Sequence, residues 1–224
     1  MKTVLAAVAV AAFASQAQAV TVVQWDFESA VAPTGNQINW TSIASSTGSG
    51  FASAVHTASS AWTTPSGNGS AKSASGTAWA VGDYWQFSFS TVGYTGLTLS
   101  FDQTGSNTGP RDFTLAYSAN GAPFTTFASY QLPAVTWNTT TYNSNSTFTF
   151  DLSAVAALNN ASSVNIRLVD ASTSSINGGT VASGGTDRVD NFTVNLSPVP
   201  ESTTSAMLLA GLATLGFIAR RRRA

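Results

Sequence analysis

Cysteine is absent from the 224 residues, which excludes a disulfide framework, thiol catalysis and cysteine-ligated zinc or iron–sulfur centres. A single histidine, His56, is left to carry any imidazole chemistry. Charge is scarce too, with Lys, Arg, Asp and Glu making up 8% of the chain, so disorder driven by charge is ruled out. Against these absences stand 43% apolar and 11% aromatic residues, enough to bury a core. What replaces charge is hydroxyl: 31 serines and 30 threonines supply the polar surface, which suits the water-facing sides of strands.

The two ends differ from the middle. Residues 1–19 have a positive start at Lys2, an apolar run from Val4 to Ala14 and the small-residue site Ala17-Gln18-Ala19. That order reads as a secretory signal peptide, which brings in the translocon and signal peptidase as partners. At the other end, Ala206 to Ala219 carries no charge and runs into Arg220, Arg221, Arg222 and Arg223. Such a stretch reads as a short membrane-crossing helix, oriented by its arginines with everything upstream outside the cytoplasm.

Pro198-Val199-Pro200-Glu201, a polar spacer, Leu208-Leu209-Ala210-Gly211-Leu212, Gly216-Phe217 and the arginine cluster together resemble the PEP-CTERM sorting tail. The resemblance covers residues 198–224. It implies an exosortase-like enzyme acting at Pro200-Glu201, and delivery to the surface or exopolysaccharide matrix of a Gram-negative bacterium. Ser202 stands where the motif has its second proline. An unprocessed chain would stay anchored in the inner membrane by this helix.

Residues 20–197 are the expected domain. Lys72, Arg111, Arg167 and Arg188 are its only basic residues, against nine acidic ones, for a net charge of −5. With no basic cluster to displace counterions from phosphates, nucleic-acid binding is excluded as a function class. The apolar residues recur every second position, as in Val23/Trp25/Phe27, Trp85/Phe87/Phe89, Leu97/Leu99/Phe101, Val164/Ile166/Leu168 and Phe192/Val194/Leu196. Period two with Ser, Thr, Asn and Gln between predicts antiparallel strands with one buried face each. The fold class is therefore all-β, a β-sandwich of jelly-roll type with eight to ten strands. The spacing predicts one short helix over Ser153–Asn160, and Thr41–Thr77 reads as long loops with one or two short strands. Asp83 to Phe89, Leu97 to Asp102, Gly109 to Phe113 and Asp187 to Phe192 resemble the jelly-roll domains that PEP-CTERM proteins often carry. That resemblance implies a fold rather than an activity.

Chemistry is sparse. His56 lies in a serine-rich segment with no Gly-x-Ser-x-Gly elbow, so a Ser-His-Asp site is not expected. Asp26 and Glu28, two residues apart on a strand, have the spacing of a glycosidase carboxylate pair, but no second acidic strand marks a cleft. If the first and last strands are neighbours, Asp26, Glu28 and Asp190 approach one another and form a candidate structural calcium site. Jelly-roll carbohydrate-binding modules are similar at these positions, and no other cofactor is required. Trp25 and Trp85 share the apolar parity and belong to the core. Trp40, Trp62, Trp79 and Trp137, with His56, stand in less regular segments and are the candidate sugar-binding residues, with burial as the alternative. The sequence thus predicts a non-enzymatic, exported surface or matrix protein with a structural or adhesive role. The alternatives are a carbohydrate-binding module that holds exopolysaccharide and, more remotely, a secreted glycan hydrolase.

Overall fold

The computed structural model describes residues 18–199 and, in the C-terminal segment, the helical positions Leu209, Gly211, Leu212 and Leu215. Residues 1–17 of the expected signal peptide, the Pro200-Glu201 motif and Arg220 to Arg223 lie outside the described residues. Among those described, no helix is long and apolar enough to cross a membrane.

Alternating apolar residues produce two antiparallel sheets. One contains β1 (Val20–Trp25), β11 (Asp187–Pro198), β6 (Tyr94–Gly105) and β9 (Thr147–Asp151) in that order, with β4 (Ala74–Gly76) pairing on β11. The other runs β2 (Asn36–Ala44), β3 (Gly50–Ala61), β5 (Tyr84–Phe89), β10 (Val164–Asp170), β7 (Asp112–Ala119), β8 (Thr125–Gln131). Every pairing is antiparallel, and the first and last strands are neighbours through Val20↔Leu196 to Trp25↔Phe192.

Inward residues of both sheets meet in one core. Phe87 of β5 and Phe192 of β11 stack at 3.6 Å, and Trp25 of β1 packs edge-on against both at 5.2 and 5.8 Å. Burying each such ring stabilises the fold by roughly 2–3 kcal/mol. The sandwich of the sequence reading is thereby present, with eleven strands among the described residues rather than eight to ten.

Two local expectations need correction. Ser153–Asn160 does not form an α-helix. Val155 N–H reaches Leu152 O and Leu158 N–H reaches Val155 O, bonds of the tighter three-residue kind, and only Ala156–Leu158 forms a 3-10 turn. Buried Leu152 and Leu158 pin its two ends. Thr41–Thr77 is not mainly loop either, because β3 runs for twelve residues and buries Ala52, Ala54 and His56 at alternating positions. Two of those three are alanine, too small to register as a hydrophobic stripe, yet they leave the room that the large rings opposite them need.

Candidate functional site

The tryptophans of the irregular segments are not a surface platform. Trp40, Trp62, Trp79 and Trp137 are 3%, 4%, 5% and 4% exposed. Three of their indole N–H groups are satisfied inside, Trp62 by Gln37 O at 2.9 Å, Trp79 by Gly76 O at 2.9 Å and Trp137 by Ser146 Oγ at 2.8 Å. Gly76 is required where it is, since a Cβ there would collide with the Trp62 ring. His56 is walled in by Trp62 and Trp79, with ring centroids 4.5 and 4.3 Å away. Among the described residues neither ring nitrogen has a hydrogen-bond partner, and Nδ1 is 3.9 Å from Asp83 Oδ2. Burial pushes the imidazole down to about 4 against the opposing pull of Asp83, so it is neutral at pH 7. No serine hydroxyl meets it, so these five candidates belong to the core and form neither a catalytic triad nor a sugar platform.

The carboxylate trio also separates. Asp26 Oδ1 accepts the Glu28 N–H at 3.1 Å, a turn contact, because Phe27 between them is left-handed with φ 57°. The two side chains therefore do not keep the same-face geometry of an extended strand. Glu28 Oε1 accepts the Lys72 N–H at 3.0 Å, while Asp190 Oδ2 accepts from Asn68 N at 2.9 Å and Ser70 Oγ at 2.8 Å. The 68–72 turn thus ties Glu28 to Asp190 and leaves Asp26 aside. Ser70 Oγ, Lys72 O and Asp190 Oδ2 converge beside Gly67, where any Cβ would strike all three. Burial pushes Asp190 up to about 7, three hydrogen bonds resist that shift, and the charge of Asp102 adds to it. The Ser70 hydroxyl bridges these oxygens by hydrogen bonds to Lys72 O at 3.2 Å and Asp190 Oδ2 at 2.8 Å, and no group of three His, Asp or Glu among the described residues is placed to hold a metal.

A groove of about 690 Å³ runs between Asp26–Val31 and Trp40–Ser46 at the edge of the six-stranded sheet. Its two carboxylates, Asp26 and Glu28, are those already occupied by backbone N–H donors, which gives them turn-holding roles rather than those of a paired acid and nucleophile.

A different surface assembles binding chemistry. The outward residues of β3, β5, β10 and β7 form three cross-strand rows: Phe51, Ser88, Asn165 and Ser118; then Ser53, Gln86, Arg167 and Ala116; then Val55, Tyr84, Val169 and Thr114. Phe51 is 62% exposed at the rim. Ser88 Oγ donates to Asn165 Oδ1 at 2.6 Å, and Arg167 Nε donates to Gln86 Oε1 at 2.8 Å. The Arg167 guanidinium carbon lies 3.8 Å from the ring centroids of both Tyr84 and Phe124, held between two aromatic faces. Phe124, from the segment after β7, is 38% exposed. Rings that expose apolar faces beside amides and hydroxyls are what a sugar requires, since it presents C–H faces and equatorial hydroxyls together. The signal for this strip was in the sequence as the complementary parity: Tyr84, Gln86 and Ser88 alternate with the core residues Trp85, Phe87 and Phe89.

No protein-family model matches the sequence, and no curated protein matches it. Among solved structures it is similar to the K3 cleaved adhesin domain of Lys-gingipain from Porphyromonas gingivalis w83 (15% identity, TM-score 0.40, 78% of this chain and 99% of that one). It is also similar to a CBM4 structure (15%, 0.33, 79% and 85%). A third similar structure is the N-terminal cellulose-binding domain of Cellulomonas fimi β-1,4-glucanase C (17%, 0.33, 72% and 88%). At these identities and TM-scores, function has to be derived from the residues of this chain.

Proposed function

We propose that this chain is an exported, non-catalytic glycan-binding domain that works at the cell surface or in the extracellular polysaccharide matrix. The observation that carries the reading is the outward strip of the six-stranded sheet, where Phe51, Tyr84 and Phe124 flank the Ser88, Asn165, Gln86 and Arg167 polar ladder. The exposed Phe51 ring supplies stacking, Tyr84 and Phe124 add apolar edges, and prearranged amides and hydroxyls exchange hydrogen bonds with sugar hydroxyls without first ordering flexible side chains. Adhesion follows from holding matrix polysaccharide on that face. Delivery is by the N-terminal signal, and sorting is by the 198–224 tail through an exosortase-like enzyme, both read from the sequence. A structural calcium ion held by Asp190 and the Lys72 carbonyl beside Gly67 would fix the 68–72 turn and take no part in binding.

The test is native affinity electrophoresis of the full chain through gels containing a neutral glucan, hydroxyethylcellulose, or an acidic polysaccharide, alginate. Retardation that disappears in the double variant Phe51→Ala/Tyr84→Ala is expected. Mobility unaffected by either polysaccharide would remove the glycan reading.

A further inference from the structure

The three outward rows across β3, β5, β10 and β7 contain Arg167 as their one charged residue, and Asp112, the next outward residue of β7 beyond Thr114, is paired with Arg111. The setting of Arg167 is unusual for a surface arginine. The guanidinium carbon sits over the Tyr84 ring and over the Phe124 ring, 3.8 Å from each centroid, so two aromatic faces wall the group. Gln86 Oε1 takes the Nε edge at 2.8 Å. Among the described residues neither terminal nitrogen has a hydrogen-bond partner, and neither is a buried unpaired atom, so both are open to a ligand. What remains is an end-on fork of two parallel N–H donors, fixed in direction by two rings and an amide.

A fork of that shape matches a carboxylate, which accepts two parallel N–H···O bonds from one guanidinium. A neutral hydroxyl would use one donor and leave the other to water. We propose that Arg167 is a carboxylate subsite, and that the glycan bound on this face is built from hexuronate units. This rests on the glycan-binding reading above and specifies its ligand class. Tyr84 and Phe124 hold the guanidinium and offer their outer edges to the sugar ring, while Ser88 and Asn165, one row away, reach hydroxyls of the adjoining unit.

The electrostatics are consistent with this assignment. The domain's net charge of −5 repels a polyanion at long range, but that field is screened within about 8 Å at physiological salt. Five of the nine acidic residues, Asp83, Asp102, Asp170, Asp187 and Asp190, are buried. Burial also pulls the Arg167 guanidinium down from its ordinary value, a partial desolvation that a bound carboxylate offsets.

The experiment is calorimetric titration of the full 224-residue chain with hexagalacturonate, its methyl ester and cellohexaose. The ester keeps the sugar rings and removes only the charge. The wild-type chain should bind the free acid at least tenfold more tightly than the ester, a difference of about 1.4 kcal/mol. Arg167→Gln should abolish that preference, bringing the affinities for free acid and ester in the variant to within about threefold of each other. Arg167→Lys, which keeps the charge and loses the fork, should recover less than half of the preference on a logarithmic scale. Equal affinity for acid and ester, or a preference that survives Arg167→Gln in a chain whose thermal unfolding is unchanged, would overturn the carboxylate subsite and leave the glycan reading standing. Binding of none of the three ligands would overturn both.

Discussion

Replacing Asp187 with asparagine changes how stability depends on pH, in a direction fixed by the core network. Asp187 is fully buried at the sheet interface, where Trp85 Nε1 donates to it at 2.6 Å and Gln103 Nε2 donates at 3.0 and 3.2 Å. Tyr130 in turn donates to Gln103 Oε1 at 2.6 Å. Burial pushes the Asp187 carboxyl up to about 7, and the Trp85 and Gln103 hydrogen bonds oppose the shift without cancelling it. A carboxyl whose folded pKa lies above its unfolded value near 4 contributes stability that is complete below pH 4 and is lost as pH rises through 7. From pH 5 to pH 8 that loss is about 2–3 kcal/mol, at about 1.4 kcal/mol per pH unit while the folded and unfolded chains differ by one proton. Asp187→Asn keeps an acceptor for Trp85 but has no proton to lose. Its own cost, a buried amide N–H without an acceptor, is about 1–3 kcal/mol at every pH. Urea denaturation of both chains at pH 5 and pH 8, followed by tryptophan fluorescence, should therefore show the variant gaining on the wild type by about 2–3 kcal/mol as the pH rises. A stability difference that does not change with pH would refute the reasoning.

Trp62→Ala should lower stability by about 3–5 kcal/mol, read from the urea midpoint, and glycan retention at saturating folded protein should persist; lost retention at unchanged stability would return Trp62 to the binding surface. His56, held down at about 4, contributes stability that is present above its unfolded value of 6.5 and lost as pH falls toward 4. His56→Leu should accordingly shrink the fall in melting temperature between pH 6.5 and 4.5, and an unchanged fall would show that His56 does not titrate in that window. EDTA should lower the melting temperature by several degrees in the wild type and leave Asp190→Ala unmoved; equal melting temperatures with and without EDTA would remove calcium from the account.

Fold and site were legible to different degrees, for physical reasons. Wherever large apolar residues alternated, as in Trp85/Phe87/Phe89 or Phe192/Val194/Leu196, the inward face could be read directly, because a strand places alternate side chains on opposite sides. β3 was missed because it buries two alanines and a histidine, which carry no stripe of hydrophobicity. Asp26 and Glu28 looked like a same-face pair until the left-handed Phe27 turned the chain between them. The tryptophans misled because an indole in an irregular segment reads the same whether its N–H meets a sugar or a carbonyl such as Gly76 O. Arg167, by contrast, lay on the polar parity of β10, but its two flanking rings come from β5 and from the segment after β7. Only the cross-strand register brings them together.

The measurement that bears most directly on the proposed function is an amide chemical-shift titration of the isotope-labelled chain with hexagalacturonate and with cellohexaose. Shifts concentrated at Phe51, Tyr84, Gln86, Ser88, Asn165 and Arg167 are predicted. Shifts confined to the groove between Asp26–Val31 and Trp40–Ser46, or none with either oligosaccharide, would contradict glycan binding on the outer face of the six-stranded sheet.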